Sequence, residues 1–121
     1  MRDDFTTATT DALAKRVGVR CSNPACRRPT SGPRTDAAKV VNIGVAAHIT
    51  AAAAGGPRYD PALLAEQRSS IKNGIWLCQN CAKLVDNDPD RFTVAALTQW
   101  KHRSEATALA ALTGQVPILL D

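Results

Sequence analysis

The chain has 121 residues, which is enough for one compact domain and too short for two of ordinary size. Fifteen Lys and Arg against eleven Asp and Glu give a net charge of +4, which suits a polyanionic partner such as nucleic acid but does not require one. There is no run of about eighteen apolar residues and no apolar N-terminal stretch typical of a secretory signal, so we expect a cytoplasmic protein with no membrane partner.

Helix, loop and strand patterns follow one another in the first half of the chain. Helix formers at about residues 6–17, followed by Gly18, predict a first helix. Residues 27–36 are rich in Pro, Gly, Ser and Thr, which predicts a loop. At residues 39–49 apolar side chains alternate with small or polar ones, which predicts one strand. On this pattern one face of the strand is buried, and His48 points away from that face among small neighbours.

The second half begins with a long connection. Residues 51–70 contain only a possible short helix near 63–68, and a connection of this length in a small domain is usually functional or disordered. Residues 73–78 predict a turn and a second strand, and residues 80–86 predict a helix. Thr93 is the predicted N-cap of a longer helix that ends before Gly114. The buried positions that we expect on this helix are Leu97, Trp100, Leu109 and Leu112. We interpret the apolar tail, residues 116–121, as a linker to an absent domain.

The four cysteines form a C-x4-C pair and, about fifty residues later, a C-x2-C pair. Aromatic residues make up only 4% of the chain, and a small domain with a thin aliphatic core often needs a metal or covalent staple. Short cysteine pairs on tight turns are the usual way to present four thiolates to one Zn²⁺. We therefore predict one structural zinc site, with reduced core thiols or two disulfides as alternatives. Its ligands are Cys21, Cys26, Cys78 and Cys81.

The two histidines differ in their surroundings. His102 lies among charged residues on the predicted long helix, which is typical of a solvated helix face. His48 ends a predicted strand and precedes a long Gly-containing loop. A zinc ion with four sulfur ligands has no open position for catalysis, so any chemistry must come from elsewhere. The pattern leaves both a structural and a catalytic role open for His48.

The order of these motifs resembles the HNH endonuclease family. The motifs are a cysteine pair, a strand ending in Ala-His-Ile, then Gly-Gly-Pro-Arg, then Asn-Gly-Ile-Trp-Leu-Cys-x-x-Cys, over roughly residues 21–100. The chain is most similar to the N-terminal HNH domain of bacterial anti-phage effectors in which a cyclic-oligonucleotide-sensing SAVED domain follows. The resemblance implies an α+β fold, with a ββα-metal core, a four-cysteine zinc site and flanking N- and C-terminal helices. It implies a single HNH nuclease domain over residues 1–121, with its core at about residues 19–103.

The resemblance also implies roles for individual residues. His48 matches the histidine that deprotonates the attacking water, and Asn73 matches the asparagine that braces the hairpin loop and in some members binds the metal. Asp86 matches a further metal ligand of some relatives. Ala47 and Ala82 depart from the family, since many relatives have a metal ligand at each position. We therefore expect Asn73 and Asp86, with phosphate oxygens and waters, to hold catalytic Mg²⁺ or Mn²⁺, although a plain turn and a helix-ending turn are the respective alternatives.

Double-stranded DNA is the expected partner, with weak sequence preference and with RNA as an open alternative. Arg58 is expected to steady the scissile phosphate, and Arg34, Lys72 and Lys83 to contact the backbone elsewhere, although each also fits a solvated surface charge. One such site cuts one strand, so double-strand cleavage points to a homo-oligomer in the active state. The resemblance further implies a covalently linked cyclic-oligonucleotide sensor domain outside this chain.

The sequence thus favours a metal-dependent DNA endonuclease, and the resemblance implies that it is the effector nuclease of a bacterial anti-phage system. The main rival is a non-catalytic zinc-binding module that binds nucleic acid or protein, and the alanines at positions 47 and 82 keep this rival open. A third possibility is a redox switch that uses the Cys78 and Cys81 pair, which tight zinc occupancy would exclude.

Overall fold

The computed structural model describes residues 3–114, and the apolar tail at 116–121 lies outside them. The described residues form a mixed α+β fold with two antiparallel two-stranded sheets, β1 with β2 and β3 with β4. None of the described helices is long and apolar enough to cross a membrane. The elements in chain order are α1 (Thr7–Arg16), β1 (Ser31–Pro33), β2 (Val40–Asn42), β3 (Gly44–His48), α2 (Ala65–Arg68), a 3₁₀ turn (Ile71–Asn73), β4 (Gly74–Cys78), α3 (Gln79–Asn87) and α4 (Val94–Leu112).

Capping residues mark the ends of the two main helices, and the N-cap predicted at Thr93 is confirmed. The Thr6 side chain caps α1 by accepting a hydrogen bond from the amide three residues ahead, at 3.1 Å. Thr93 caps α4 in the same way, at 3.2 Å. Gly18 and Gly114 follow the helix ends with φ of +65° and +79°, a conformation that glycine adopts without steric cost.

The prediction of one strand over residues 39–49 is wrong in its first half. The chain bends at Asn42, whose side-chain oxygen accepts a hydrogen bond from the Gly44 amide at 2.9 Å. This bend places β2 and β3 in different sheets, and β2 pairs with β1, which lies inside the predicted loop. Val41 and Val45 are consequently exposed, and of the predicted buried face only the end, Ala47 and Ile49, is fully buried.

Strand β4 is the centre of the fold, and all five of its residues are buried. Ile75 and Leu77 belong to the larger core cluster, to which α3 and α4 contribute, whereas Trp76 packs with the residues of α1. Residues opposite each other in an antiparallel pair share a face of the sheet. Since His48 lies opposite Gly74, it is on the same face as Trp76, toward α1.

The pairing of β3 with β4 requires glycine at position 44. A Cβ there would lie 2.0 Å from the Trp76 ring carbon Cζ2, so the indole occupies the space that any side chain would need. The indole is also fixed at its other end, because its Nε1 donates to the Thr30 hydroxyl at 2.9 Å. Close packing therefore fixes the residue type at position 44.

The second half of α4 extends beyond the core. Leu97 is fully buried as predicted, and Trp100 packs partly against the same cluster. The prediction is wrong for Leu109 and Leu112, which are 62% and 84% exposed. A 19-residue helix is about 28 Å long, and a fold with so few elements does not cover that length.

Candidate functional site

The four cysteines come together between the knuckle that precedes β1 and the junction of β4 with α3. Their four Sγ atoms all lie within 4.8 Å of one another, and those of Cys26 and Cys78 are 4.0 Å apart. A tetrahedral zinc with Zn–S bonds of about 2.3 Å places its sulfurs roughly 3.8 Å apart. All four residues are free cysteines. The cluster could therefore hold a metal ion such as zinc.

Local hydrogen bonds shape both halves of this cluster. The Asn23 carbonyl accepts from the Cys26 and Arg27 amides at 2.9 and 3.0 Å, which closes the first knuckle. The buried Asn23 side chain donates to the Cys81 sulfur at 3.5 Å. In the second knuckle the Cys81 amide donates to the Cys78 sulfur at 3.4 Å. Donors aimed at sulfur favour thiolate ligands.

The thiols differ in acidity because their surroundings differ. Burial raises the pKa of Cys21 and also that of Cys81. Burial acts in the same direction on Cys78, but hydrogen bonds from the Cys81 amide and the neighbouring thiols bring the pKa of Cys78 below its ordinary value. Four thiolates in so small a volume repel one another, so a bound divalent cation would stabilise them and its binding would release protons.

His48 is half-buried beneath the N-terminal segment of the chain. Its ring stacks on the Phe5 ring, with centroids 4.0 Å apart and an interplanar angle of 11°. Its Nε2 lies 2.8 Å from the Asp3 carbonyl oxygen, and since a carbonyl can only accept, Nε2 is the donor. In the neutral ring, the tautomer inferred from this bond carries its lone pair on Nδ1.

A cavity of about 320 Å³ lies between β3, residues 51–57 and the outer face of α3. His48 lines this cavity together with Ala47, Ala82 and Asp86. The fold thus brings the candidate base, His48, and the candidate ligand, Asp86, to one cavity. Positions 47 and 82, where the resembled family often has metal ligands, line the same cavity. The two alanines offer methyl groups and no ligand atom. Among the described residues, the cysteine cluster is the only group of three or more Cys, His, Asp or Glu ligand atoms close enough to hold an ion.

A larger cavity of about 860 Å³ lies between α1 and the exposed half of α4. Its lining includes the exposed His102, as well as Leu109 and Leu112. Its titratable side chains are four cations (Lys15, Arg16, Arg20 and Arg27), His102 and Glu105, and Arg16 and Glu105 form an ion pair at 3.0 Å. None of them lies at a position where the sequence motifs predict a catalytic or metal-binding residue. We therefore place the candidate chemistry at His48.

Asn73 braces the ends of the long connection and does not line the cavity. Its side-chain nitrogen donates to the carbonyls of Thr50 and Arg68 at 2.9 and 3.0 Å. Its side-chain oxygen accepts from the Thr50 amide at 3.0 Å. Both amide hydrogens are thus used on the backbone. This geometry matches the bracing role expected for Asn73 and lends no support to the expected metal contact.

Arg58 was expected to contact phosphate, but its side chain is only 4% exposed. The Nε atom donates to the Ile49 carbonyl at 2.6 Å, and Nη1 donates to the carbonyls of Val85 and Phe92 at 3.0 and 3.2 Å. The Nη2 atom donates to Asp86 at 2.9 Å. With its donors turned inward, Arg58 joins the chain after β3 to α3 and to the loop that follows α3, and it holds the half-exposed Asp86 carboxylate in place.

Lys101 is a second buried cation that supports the site. Its ammonium donates to the carbonyls of Ile71 and Gly74 at 2.6 and 2.7 Å, which holds the 3₁₀ turn against the start of β4. Burial lowers the pKa of Lys101. Because Gly74 lies opposite His48, this lysine helps to fix the strand end beside the candidate base.

The remaining predicted contacts to DNA are exposed. Lys72 lies in the 3₁₀ turn before β4, and Lys83 lies on α3 directly after the cavity-lining Ala82. Arg34 follows β1 in the other sheet, so it belongs to a different part of the surface. Of the three, only Lys83 therefore lies on an element that lines the cavity.

Three further residues contact the site, and the sequence patterns did not single out any of them. Asp3 and Phe5 hold the His48 ring, and Arg68 joins the N-terminal segment to the long connection. The Arg68 guanidinium lies 3.3 Å from the Asp3 carboxylate and 5.0 Å from the centre of the Tyr59 ring. The one available signal was Phe5, an aromatic residue directly before a helix cap in a chain with few aromatic residues.

Comparison with known proteins does not identify the chain. No family model matches it. No curated protein is a significant match either. The function of the chain must therefore be inferred from its residues and their geometry.

Proposed function

We propose that the chain is a metal-dependent nuclease domain of the HNH type, which hydrolyses phosphodiester bonds in DNA with His48 as its general base. One observation carries this proposal: His48 and Asp86 line the same small cavity, beside the two positions where metal ligands are expected. A histidine and a carboxylate that line one otherwise apolar, alanine-rich cavity are what a candidate reaction site requires.

The order of elements around the cavity supports the same proposal. The antiparallel strands β3 and β4 are followed directly by α3, which is the order of a ββα-metal core. Cys78 ends β4, and Cys81 lies in the first turn of α3. A structural zinc on the four cysteines would fix this strand–helix junction without taking part in the reaction, because no coordination position would be open.

One hydrogen bond supports the assignment of His48 as the base. The Asp3 carbonyl holds Nε2–H, so the neutral ring accepts a proton at Nδ1. Proton transfer from the attacking water to Nδ1 would produce the nucleophile that attacks phosphorus, and the 3′ oxygen would leave. An imidazole suits this task near neutral pH.

Asp86 is the residue that would hold a catalytic Mg²⁺ or Mn²⁺. Its carboxylate is 49% exposed, and Arg58 holds one of its oxygens. Mg²⁺ is commonly bound through only one or two carboxylates, with waters and substrate phosphates completing its shell, so a single carboxylate meets the minimum. When bound, the ion would neutralise charge that develops on the phosphoryl and leaving oxygens.

The surface charge supports a nucleic-acid substrate. The net charge is +4, Lys72 and Lys83 are both exposed, and Lys83 directly follows the cavity-lining Ala82. Phosphate contacts of this kind position a backbone without reading its sequence. We propose double-stranded DNA as the substrate and paired domains for double-strand cleavage. The anti-phage role and the cyclic-oligonucleotide sensor rest on the family resemblance.

A non-catalytic zinc module remains the second candidate, and a specific observation favours it. Ala47 and Ala82 place methyl groups in the cavity where many HNH nucleases have metal ligands. A chain that had lost its reaction could keep the zinc cluster and the basic surface and bind nucleic acid or protein without cutting.

Nicking of supercoiled plasmid with a variant of Asp86 tests the proposal. Divalent ions are removed by dialysis rather than by a chelator, so that zinc stays bound, and Mg²⁺ or Mn²⁺ is then titrated. We expect nicking only with added metal, and we expect Asp86→Asn to need a higher metal concentration because a carboxylate ligand has become a neutral amide. Asp90→Asn, an exposed change just beyond α3, is the matched control.

Each outcome of the titration distinguishes the candidates. Nicking that depends on added metal and on Asp86 supports the nuclease. Binding of DNA without nicking at any metal concentration would favour the non-catalytic module. If the chain cleaves an RNA duplex but not plasmid DNA, its substrate is RNA and the proposal of DNA is wrong. If Asp86→Asn and Asp90→Asn need the same metal concentration, Asp86 does not bind the catalytic ion.

A further inference from the structure

The N-terminal segment, residues 3–5, lies against the candidate base rather than apart from it. Phe5 stacks face to face on the His48 ring, and the Asp3 carbonyl accepts the hydrogen bond from Nε2. These two contacts constrain different properties of the ring. The stack sets its plane, and the hydrogen bond sets which nitrogen carries the proton.

The segment is itself anchored at both of its contact residues. The Phe5 ring packs in the smaller core cluster, and a Cβ on Gly74 would lie 3.1 Å from its Cζ, so the ring lies close against β4. The Asp3 carboxylate pairs with Arg68 at 3.3 Å, and both side chains are less than one-quarter exposed. The Arg68 carbonyl in turn accepts from Asn73, so the segment is joined to the brace of the long connection.

Helix capping alone does not explain Phe5. An apolar residue before an N-cap usually packs on the fourth residue of the helix. In α1 that residue is Thr10, which is polar. The Phe5 ring instead stacks on the His48 ring. An aliphatic side chain at position 5 could not make this contact, because stacking requires two planar rings.

We propose that Phe5 and Asp3 are positioning residues for His48: they hold its ring in one plane and in the Nε2–H tautomer, in which Nδ1 is the nitrogen that can accept a proton. An imidazole without such contacts interconverts between tautomers and rotates about its side-chain bonds. The catalytic consequence rests on the proposed function, whereas the restraint on the ring does not.

Long-range ¹H–¹⁵N correlation spectra of the histidine rings test the restraint without any activity. We expect His48 in the zinc-bound chain to show a protonated Nε2 and an unprotonated Nδ1, whereas the exposed His102 provides an averaged reference. In Phe5→Leu we expect the His48 tautomer preference to weaken, because a ring that leaves the plane set by the stack no longer directs Nε2–H at the Asp3 carbonyl. Phe92→Leu is the matched control, because it makes the same change in a ring that packs edge-on against Trp100.

Asp3→Asn provides a second variant that keeps the backbone carbonyl and removes the anchoring ion pair. We expect a smaller change in the His48 spectrum than in Phe5→Leu, because the stack remains. Plasmid nicking should fall about tenfold in Phe5→Leu at saturating Mg²⁺, since misplaced catalytic groups lose much of their rate advantage. Phe92→Leu should nick at the parent rate once it is shown to be folded.

The spectra and the nicking rates separate the two proposals. If the parent chain nicks DNA and Phe5→Leu leaves both the His48 tautomer and the nicking rate unchanged, the positioning role is overturned and the nuclease stands. If the tautomer changes in Phe5→Leu but the parent chain never nicks, the restraint on His48 stands and the nuclease falls. Equal spectral changes in Phe5→Leu and Phe92→Leu would also overturn the positioning role, since they would indicate general loosening.

Discussion

Replacement of Arg58 by methionine should destabilise the fold strongly. Methionine keeps most of the apolar stem and removes the guanidinium, which donates to three backbone carbonyls and to Asp86. The carbonyls belong to the residue that follows β3, to α3 and to the loop after α3, so one side chain joins three parts of the chain. Loss of the guanidinium leaves those partly buried carbonyls without their donor.

The cost can be worked out from these bonds. Each buried polar group left unsatisfied costs about 1–3 kcal/mol, and the three losses are not additive because the loop can relax. Because Asp86 is half-exposed and can be solvated, the three carbonyls carry most of the cost, and we expect about 3–5 kcal/mol for Arg58→Met. Small domains have a total stability of about 5–15 kcal/mol, so much of the stability would be lost.

Urea unfolding with saturating zinc, followed by circular dichroism, measures this effect. With a slope of about 1–3 kcal/mol per molar urea, we expect the midpoint to fall by roughly 2 M. Arg34→Met is the matched control. Arg34 lies exposed between β1 and β2, so the free energy of unfolding of this variant should stay within about 0.5 kcal/mol of that of the parent.

The opposite pattern would refute the reasoning. If Arg58→Met unfolds at the parent urea concentration but binds DNA more weakly, Arg58 contacts phosphate and does not support the fold. Equal destabilisation by Arg58→Met and Arg34→Met would also contradict the structure, because only Arg58 has a buried guanidinium.

Three further predictions concern the metal cluster, the central strand and a buried cation. Cys78→Ser should lose bound zinc, measured by elemental analysis, and unfold without a cooperative transition; retention of zinc would contradict the four-cysteine site. Gly44→Ala should cost about 1–3 kcal/mol in urea unfolding because its Cβ meets the Trp76 ring, whereas Gly32→Ala, which meets nothing within 4 Å, should not. Burial lowers the pKa of Lys101 in the folded chain below its ordinary value of 10.5, which the unfolded chain keeps. At a pH between the folded and the unfolded pKa, the unfolded chain therefore binds more protons. The stability of the parent relative to Lys101→Met should therefore rise as the pH increases toward 10.5, and an advantage that falls with pH would contradict this direction.

Local patterns predicted the parts of the fold that local physics determines. Thr93 sets where α4 begins, as predicted, because its side chain accepts a hydrogen bond from an amide within the same turn. The spacing of the cysteines predicted their convergence, because short pairs on tight turns present sulfur in one direction. The alternation near His48 correctly predicted that Ala47 is buried.

The remaining features depend on contacts between distant residues. The bend at Asn42 divides a predicted strand, and the partner of β2 is a segment whose composition is typical of a loop. Arg58 and Arg68 look like surface charges in the sequence, because nothing nearby in the chain reveals the carbonyls and the carboxylate that hold them. The role of Phe5 is likewise apparent only when residues 43 positions apart are brought together.

The nicking rate of His48→Ala tests the central claim most directly. The assay uses supercoiled plasmid at saturating Mg²⁺ or Mn²⁺, with zinc content and circular dichroism matched among the variants. His102→Ala, on the exposed face of α4, is the control for loss of a histidine as such. We predict that His48→Ala nicks about 100-fold or more slowly than the parent, as expected for a lost general base, and that His102→Ala does not differ from the parent. Equal rates for His48→Ala and the parent would contradict the assignment of His48 as the base.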